Sequence, residues 1–584
     1  MWHVLLWCCG LVILLLSVVL GTTDRGSMVP SSRRPVAARP WSAAEGGPGR
    51  EFLCSDLYLS LADGHERLFV KTDVLHTGPV LWRGQWHAPR IDRQVVLSGQ
   101  SDYAVTPDLA ARFPGVKHWF AINNQSLDSR VTTLPLGLTN DTDESPIHRI
   151  FGNQEVLRQV LAEPKPTTSV NWVYLNLAMT HPSRQRIWQL FHHQSWVTVG
   201  TNEASLSGRQ AFLRAIRQHE FCLCPRGNGL DTHRLWETLY VGSIPIVEYD
   251  PAYHAFRDLP IYFIQDWATD VTLEQLQAVK VEMTRRCWNR DKLFFPYWRQ
   301  TITLYPQLAQ RIPSDAARHQ SWVLIHLGPP APAYMQDCVQ QITRVDPTST
   351  VFVVADQDPG YGTWLPLSEV PLSSWRQQFL ETSTINSSDR QGFWKWACLR
   401  LFVLHDVMEY VRLRNVMHLE YDNLVYFDLS WFRTHLPDTA RWACPRLGPH
   451  RLLANLLFVR DPEPLRALLG FINSRSLENE MRYLSEFQAS TDVYSFYELP
   501  LTRDHPHFAA FDSIFDAAAL GQCLGGVDPR NQPGNTVGFV NEDSPWPDLK
   551  PSWLTWNADH QPLFRTSCIV RNLHIHSKQL SKFC

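Results

Sequence analysis

Residues 221–248, FCLCPRGNGLDTHRLWETLYVGSIPIVE, constrain the fold more than any other stretch of the chain. They predict a buried strand, a glycine-bearing polar loop, a short helix and a second buried strand. Residues 221–224 are apolar, and Pro225 to Gly229 cannot extend the strand. Asp231 is a good N-cap for a helix starting at Thr232, and Gly242 is a good stop. Residues 243–247 again read as strand. Such a unit directs free backbone N–H groups and the positive end of a helix at one spot, which suits a phosphate. Arg226 in the loop, with His233 and Arg234 in the first turn, adds donors and charge. Glu237 lies three residues after Arg234 and four after His233, so it shares their face. A carboxylate there can accept from ribose hydroxyls. Diphosphate plus ribose means a nucleotide, and no Walker-type phosphate loop is present. A nucleotide-sugar is therefore favoured over a nucleoside triphosphate.

CPRGNGLDTHRLWETLYVGSIPIV resembles the donor-site signature of exostosin-like (family 47) glycosyltransferases. WFAINN (119–124), LPLGL (134–138) and VYLNLAMTHPSRQRIW (173–188) are similar to further pieces of that family, so the likeness spans roughly residues 55–313. The resemblance implies a GT-B fold, two Rossmann-like halves with the donor in the cleft between them. It places Arg226, Gly227, Asn228, Gly229, His233, Arg234 and Glu237 at the donor. The alternative is a Rossmann-like unit whose polar residues only cap a helix.

The chain has 584 residues, enough for two to four domains, and its net charge of -3 gives no global case for nucleic-acid binding. The uninterrupted apolar run 4–20, VLLWCCGLVILLLSVVL, fits a spanning signal-anchor or a signal-peptide core. The resemblance favours an uncleaved anchor at 1–21, hence a single-pass type II protein of the Golgi or ER membrane. Cleavage and secretion is the alternative. Either way the rest enters the secretory lumen. Sequons at Asn124, Asn140 and Asn386 agree with that compartment. So does the even count of ten cysteines beyond the apolar run, which permits disulfides.

Residues 22–51 are rich in Pro, Gly, Ser and Arg and read as a disordered stem. From 52 onward strand-like runs (93–97, 116–122) alternate with helix-like ones (154–161, 184–192, 206–218, 273–287), which predicts an α/β protein. A polar break near 312–318 separates a first domain, 52–315, from a second, 320–584. The second opens with strands at 322–327 and 350–355 around a helix at 334–343, the usual start of a Rossmann-like nucleotide domain. An amphipathic helix at 393–412 leads to a strand at 415–419 that ends in Glu420-Tyr421-Asp422. Carboxylates at Glu420 and Asp422 point the same way and can share Mn²⁺ or Mg²⁺, which would neutralise a diphosphate leaving group. HLEYDNLVYFD resembles the D-x-D context of GT-A glycosyltransferases, with Glu420 in place of the first Asp. That resemblance implies a GT-A-like second domain and a later histidine ligand. In LHIHSK, His574 and His576 share a strand face, His576 is the chosen ligand, and Lys578 reaches phosphate. Asp512 and Asp516 stand four apart on a predicted helix face, where one could act as base toward an acceptor hydroxyl. Residues 522–535 read as a flexible loop that covers a donor site.

These features predict a lumenal, nucleotide-sugar-dependent glycosyltransferase with a glycan or glycoprotein acceptor, bifunctional if both domains turn over. Membrane attachment comes through the N-terminal anchor, and a homo- or hetero-oligomer is compatible with it. The competing reading is a degenerate, non-catalytic relative that binds sugar or assists assembly. A carboxylate-pair hydrolase is a weaker third, since no acids are separated across a recognisable cleft.

Overall fold

Buried apolar runs that alternate with helices should pair in parallel, with both sheet faces covered, and among the described residues two wholly parallel sheets and a third, largely parallel one form. The computed structural model describes residues 51–584 apart from 63–65, 78–79, 83–84, 88–90, 92–93, 142–145, 165–170, 202, 329, 386–391 and 529–536. The predicted membrane segment, most of the stem and the Asn386 sequon lie outside the described residues. No helix among those residues is long and apolar enough to cross a membrane.

The first sheet is β1 (Arg67–Lys71), β2 (Val95–Gly99), β3 (His118–Ala121) and β4 (Val131–Thr133), paired in chain order and parallel throughout. The second holds β5 (Asn171–Leu175), β6 (Val197–Val199), β7 (His219–Leu223), β8 (Ile244–Glu248) and β9 (Tyr262–Ile264). Its order, β9-β8-β7-β5-β6, is again all parallel. The winding reverses between β5 and β7, which opens a crevice beyond their carboxyl ends. Helix α1 (Leu206–Arg217) precedes β7, α2 (His233–Val241) joins β7 to β8, α3 (Leu273–Arg285) follows β9, and α4 (Tyr334–Val345) lies further along the chain. The predicted stop holds: Gly242 adopts left-handed backbone at φ 86°, which favours glycine. The predicted cap does not. Thr232 takes the N-cap position without a side-chain bond. Asp231 instead accepts from the backbone N–H of Leu136 (2.8 Å) and Thr232 (2.8 Å) and from the Trp236 indole (2.9 Å).

The third sheet runs β12-β11-β10-β13-β16-β15-β17. Its strands are β10 (Ser321–Ile325), β11 (Thr350–Ala355), β12 (Thr363–Pro366), β13 (Val416–Leu419), β15 (Trp442–Pro445), β16 (Leu456–Val459) and β17 (Phe496–Leu499), while β14 (Asn423–Val425) leaves it. The first four in spatial order are parallel, and β16 runs against both neighbours. β14 pairs antiparallel with β18 (Asn572–His574), Asn423 opposite His574. Both β10 and β13 are buried at every position, as strands covered on two faces must be.

A buried charge cluster joins the first two sheets' region to the third. Glu409, at the end of α5 (Phe393–Tyr410), lies 3.3 Å from Lys292 and 3.1 Å from Arg466 of α6 (Pro462–Asn473). Asp258 closes the square, 2.9 Å from Lys292 and 3.4 Å from Arg466. Asn289 (2.9 Å) and the Tyr297 hydroxyl (3.1 Å) also donate to Glu409. Burial alone would lift the Glu409 carboxyl, but Lys292 and Arg466 outweigh it and hold it far below the ordinary range. Two cations and two anions balance, so removing one strands a buried charge. Arg466→Met is therefore expected to cost about 3–5 kcal/mol, read as a lower urea midpoint at unchanged m-value.

Candidate functional site

The crevice beyond β5 and β7 gathers arginines. Arg234, in the first turn of α2, donates to the Asn176 carbonyl at 2.5 Å, and its Nε lies 3.5 Å from Glu237 Oε2. Arg209 of α1 donates to Glu237 Oε1 at 2.6 Å. Arg184 donates to the carbonyls of Arg226 (2.8 Å) and Pro225 (3.2 Å), so it pins the loop after β7. Arg209 and Arg234 enclose the Glu237 carboxylate, and Arg184 lies close enough to Arg234 for the two charges to oppose each other, a local excess of positive charge that suits an anion. Gly229 packs closely: a Cβ there would sit 3.1 Å from Asn123 Nδ2 and 3.2 Å from Asp102 Oδ1, so those side chains would have to shift slightly.

The predicted donor residues are brought together only in part. Arg234 and Glu237 are adjacent. Arg226 folds onto its own loop, donating to the Asn228 carbonyl at 3.1 Å, and Asn228 is exposed. Gly227 is buried behind Arg184. His233 Nδ1 sits 2.8 Å from the Gly137 carbonyl. Glu237 does not present its carboxylate outward for a ribose: it is nearly fully buried against Arg209 and Arg234. Burial would raise its carboxyl, but the two guanidiniums hold it below the usual value. A buried carboxylate needs such partners, and Arg209 is the one the sequence reading passed over. Arg209 lies three and four residues before Phe212 and Leu213, on the apolar stripe of α1, which was the available signal.

The second gathering is at the carboxyl end of β13. Glu420, Asp422 and His574 each offer a ligand atom, all within 4.8 Å of one another. His574 Nε2 lies 3.1 Å from Asp422 Oδ1 and 3.4 Å from Glu420 Oε2. Arg400 of α5 pairs with Glu420, and Lys578 with Asp422. Burial opposes ionisation of both acids, yet Arg400 holds Glu420 below its ordinary value, and His574 with Lys578 holds Asp422 well below. Burial also works against a charged His574, but Asp422 and Glu420 lift it above the usual imidazole value. Two carboxylates and an imidazole fit a divalent cation, which would compete with Lys578 for Asp422. The predicted ligand His576 stands one ring back, its Nε2 3.3 Å from His574 Nδ1, because the strand ends at His574 and 576 lies in the turn beyond it. Arg400 was also missed; it sits among the buried apolar positions Leu399, Leu401 and Phe402 of α5, where a guanidinium needs an acid partner.

Asp512 and Asp516 do not share a helix face. Asp512 is exposed at the end of a four-residue helix, Phe508–Phe511, in left-handed backbone. Asp516 is buried, and its carboxylate accepts from the N–H groups of Ala519 (2.7 Å), Leu520 (2.9 Å), Gly521 (2.7 Å) and His574 (3.0 Å). It therefore ties the start of α7 (Leu520–Gly525) to the strand that carries His574. α7 takes part of the predicted loop 522–535, and 529–536 lie outside the described residues. Gly521 has no room for a side chain, since a Cβ would fall 2.1 Å from the His574 carbonyl oxygen.

The sequons and cysteines have the following surroundings among the described residues. The Asn124 sequon is buried, its amide donating to Thr133 Oγ1 at 3.2 Å, so the folded chain offers no glycan site there. Asn140 accepts from the Asp56 N–H at 3.3 Å. The ten described cysteines are free thiols. No family profile matches the chain, and no curated protein matches it either, so the exostosin-like resemblance rests on the quoted residues alone. What the structure establishes is an α/β protein with several parallel sheets.

Asp512→Ala is expected to leave stability within about 0.5 kcal/mol, whereas Asp516→Ala strands four backbone donors and should cost roughly 3 kcal/mol or more; urea melts of the two variants decide this. Burial pushes the Asp231 carboxyl up to about 7 from an ordinary 3.8. A raised acid binds its proton more tightly folded than unfolded, so its stabilising contribution is complete below pH 4 and lost as pH rises through 7. Asp231→Asn is expected to flatten that part of the stability–pH curve.

Proposed function

We propose that the chain is a glycosyltransferase that moves a sugar from a nucleoside-diphosphate donor to an acceptor hydroxyl, with the reaction centre in its second region. The observation that carries this reading is the convergence of Glu420, Asp422 and His574, flanked by Lys578, at the carboxyl edge of parallel strands. A cavity of about 590 Å³ supports it. Leu327 and Gly328, following β10, and Asp356, following β11, line it, together with Arg376, Trp396 and Leu399. Its apolar walls with a few polar groups suit a nucleoside, and β10 lies beside β13, whose end carries the acids. Tyr421 links the two places, its hydroxyl 3.2 Å from His326.

A Mn²⁺ or Mg²⁺ ion held by Glu420, Asp422 and His574 would neutralise the departing diphosphate. The nitrogen ligand favours Mn²⁺, since Mg²⁺ prefers oxygen alone. Arg400 fixes the Glu420 carboxylate, and Lys578, released from Asp422, is placed to bind a phosphate oxygen. The arginine-lined crevice of the first region suits a second anion, a donor diphosphate in the GT-B manner that the 221–248 motif resembles. With Glu237 enclosed by two arginines, that crevice fits a binding role as readily as a second active centre. In this reading the apolar run at 4–20 anchors or exports the protein, the chemistry is lumenal, and the acceptor is a glycan or glycoprotein.

A panel of nucleotide-sugars assayed for transfer and hydrolysis, with Mn²⁺ and with chelator, tests this. Asp422→Asn is expected to lower the rate roughly 10²-fold or more, and chelator to abolish it. Chelator-insensitive turnover that survives Asp422→Asn would move the chemistry to the first region.

A further inference from the structure

Two of the side chains that line the cavity of about 590 Å³ are charged, Arg376 and Asp356. Arg376 is spent on the protein itself. It is buried, donates to the carbonyls of Val370 (3.0 Å) and Pro371 (3.1 Å), and lies 3.0 Å from Asp406 Oδ2. Asp356 is exposed at the end of β11, and its Oδ2 accepts from the Gly328 N–H at 3.3 Å. Its Oδ1 has no polar partner among the described residues. Gln300 also lines the cavity, but its Oε1 accepts from the Leu372 N–H at 3.0 Å, which leaves it only donors for a ligand. Asp356 is therefore the charged acceptor that the cavity offers.

Trp396 of α5 stands in the same lining and is 49% exposed, so an indole face is open to a base. Stacking tolerates every base, and hydrogen bonds to the base edge decide which one is held. A carboxylate can only accept, through two oxygens side by side, each with a second lone pair to spare. Guanine presents N1–H and its 2-amino group side by side and satisfies both oxygens at once, the bidentate match that an arginine fork makes with a carboxylate. Uracil offers one N–H between two carbonyls, which meet the carboxylate with like partial charge. Adenine and cytosine offer an amino group beside a ring nitrogen that can only accept.

We propose that the donor is a guanosine-diphosphate sugar, whose guanine edge Asp356 reads. Asp356 follows β11 and the acids Glu420 and Asp422 follow β13, with β10 between the two strands. Two strand spacings, roughly 10 Å, thus separate the base reader from the candidate cation site, a distance of the order that ribose and phosphate bridge.

This inference rests on the nucleoside reading of the cavity, and the experiment tells the two failures apart. Guanosine, inosine, xanthosine and uridine diphosphates are titrated calorimetrically, with Mn²⁺, into the purified full chain. Wild type is expected to bind guanosine diphosphate about 10–100-fold more tightly than uridine diphosphate. Inosine diphosphate, which lacks the 2-amino group, should fall about 10-fold below guanosine diphosphate. Asp356→Asn, at an exposed position, should keep the melting temperature and lose about 10–100-fold for guanosine diphosphate. The same variant should prefer xanthosine diphosphate, whose 2-carbonyl can accept from an amide, a reversal that a merely structural role would not give. Uridine or inosine diphosphate bound by wild type as tightly as guanosine diphosphate overturns this inference and leaves the nucleoside reading standing. So does guanosine diphosphate bound equally by wild type and Asp356→Asn, or a variant that weakens all four alike. No diphosphate bound by wild type overturns the nucleoside reading itself, and this inference with it.

Discussion

The pairing of β14 with β18 is the constraint on which the candidate chemistry depends. It joins segments about 150 residues apart, and its register sets Asn423 opposite His574. A shift of one residue would turn His574 to the other face of the ribbon. The register is pinned from several sides. Asn572 donates to Asn423 Oδ1 at 3.1 Å and to the Asp516 carbonyl at 2.9 Å, and the Ile575 N–H reaches the Asp422 carbonyl at 2.7 Å. Buried amides and carboxylates in such a web are costly unless all are satisfied, which makes the arrangement specific. The C-terminal segment is thus part of the site's wall, not a tail.

Electrostatics explains why the acids can sit there. Glu420 and Asp422 are buried side by side, which like-charge repulsion and desolvation both oppose. Arg400, His574 and Lys578 supply the counter-charge. The site is therefore balanced without an ion, and a cation must displace the Lys578 contact or the proton of His574 to enter. Displaced, Lys578 remains within a side-chain length of the same carboxylate, where phosphate would arrive. The first region solves a similar problem with the opposite sign. There Glu237 is the counter-ion that lets Arg209 and Arg234 be buried, with Arg184 held beside the loop that follows β7. The Glu409 square joins the two regions, so that neither is bounded by a bare interface.

The fold was legible where periodicity and punctuation agreed. The strand at 350–355 and the helix starts at 206, 334 and 393 were predicted to the residue, and Gly242 ends its helix as its type requires. The carboxylates of the second region were legible because an apolar strand led into them. What failed was set by contacts distant in sequence. FDSIFDAAALGQ has helical spacing of its aromatic residues, but Asp516 meets more backbone donors by turning inward, and the helix never forms. His574 and His576 could not be told apart from alternation alone, since only pairing with β14 decides which one meets the acids. Asp231 looked like a cap and became a bridge to Leu136, because the first sheet's loop lies against it.

The central claim is that Glu420, Asp422 and His574 form a divalent-cation site at which a nucleoside diphosphate is held. Anomalous diffraction from crystals of the protein grown with Mn²⁺ and a nucleoside diphosphate tests it most directly. The account predicts one anomalous peak at about 2.0–2.3 Å from a carboxylate oxygen of each acid and from His574 Nε2, with Lys578 moved off Asp422 onto phosphate. Lys578 still seated on Asp422, with Mn²⁺ absent or bound elsewhere, would contradict it.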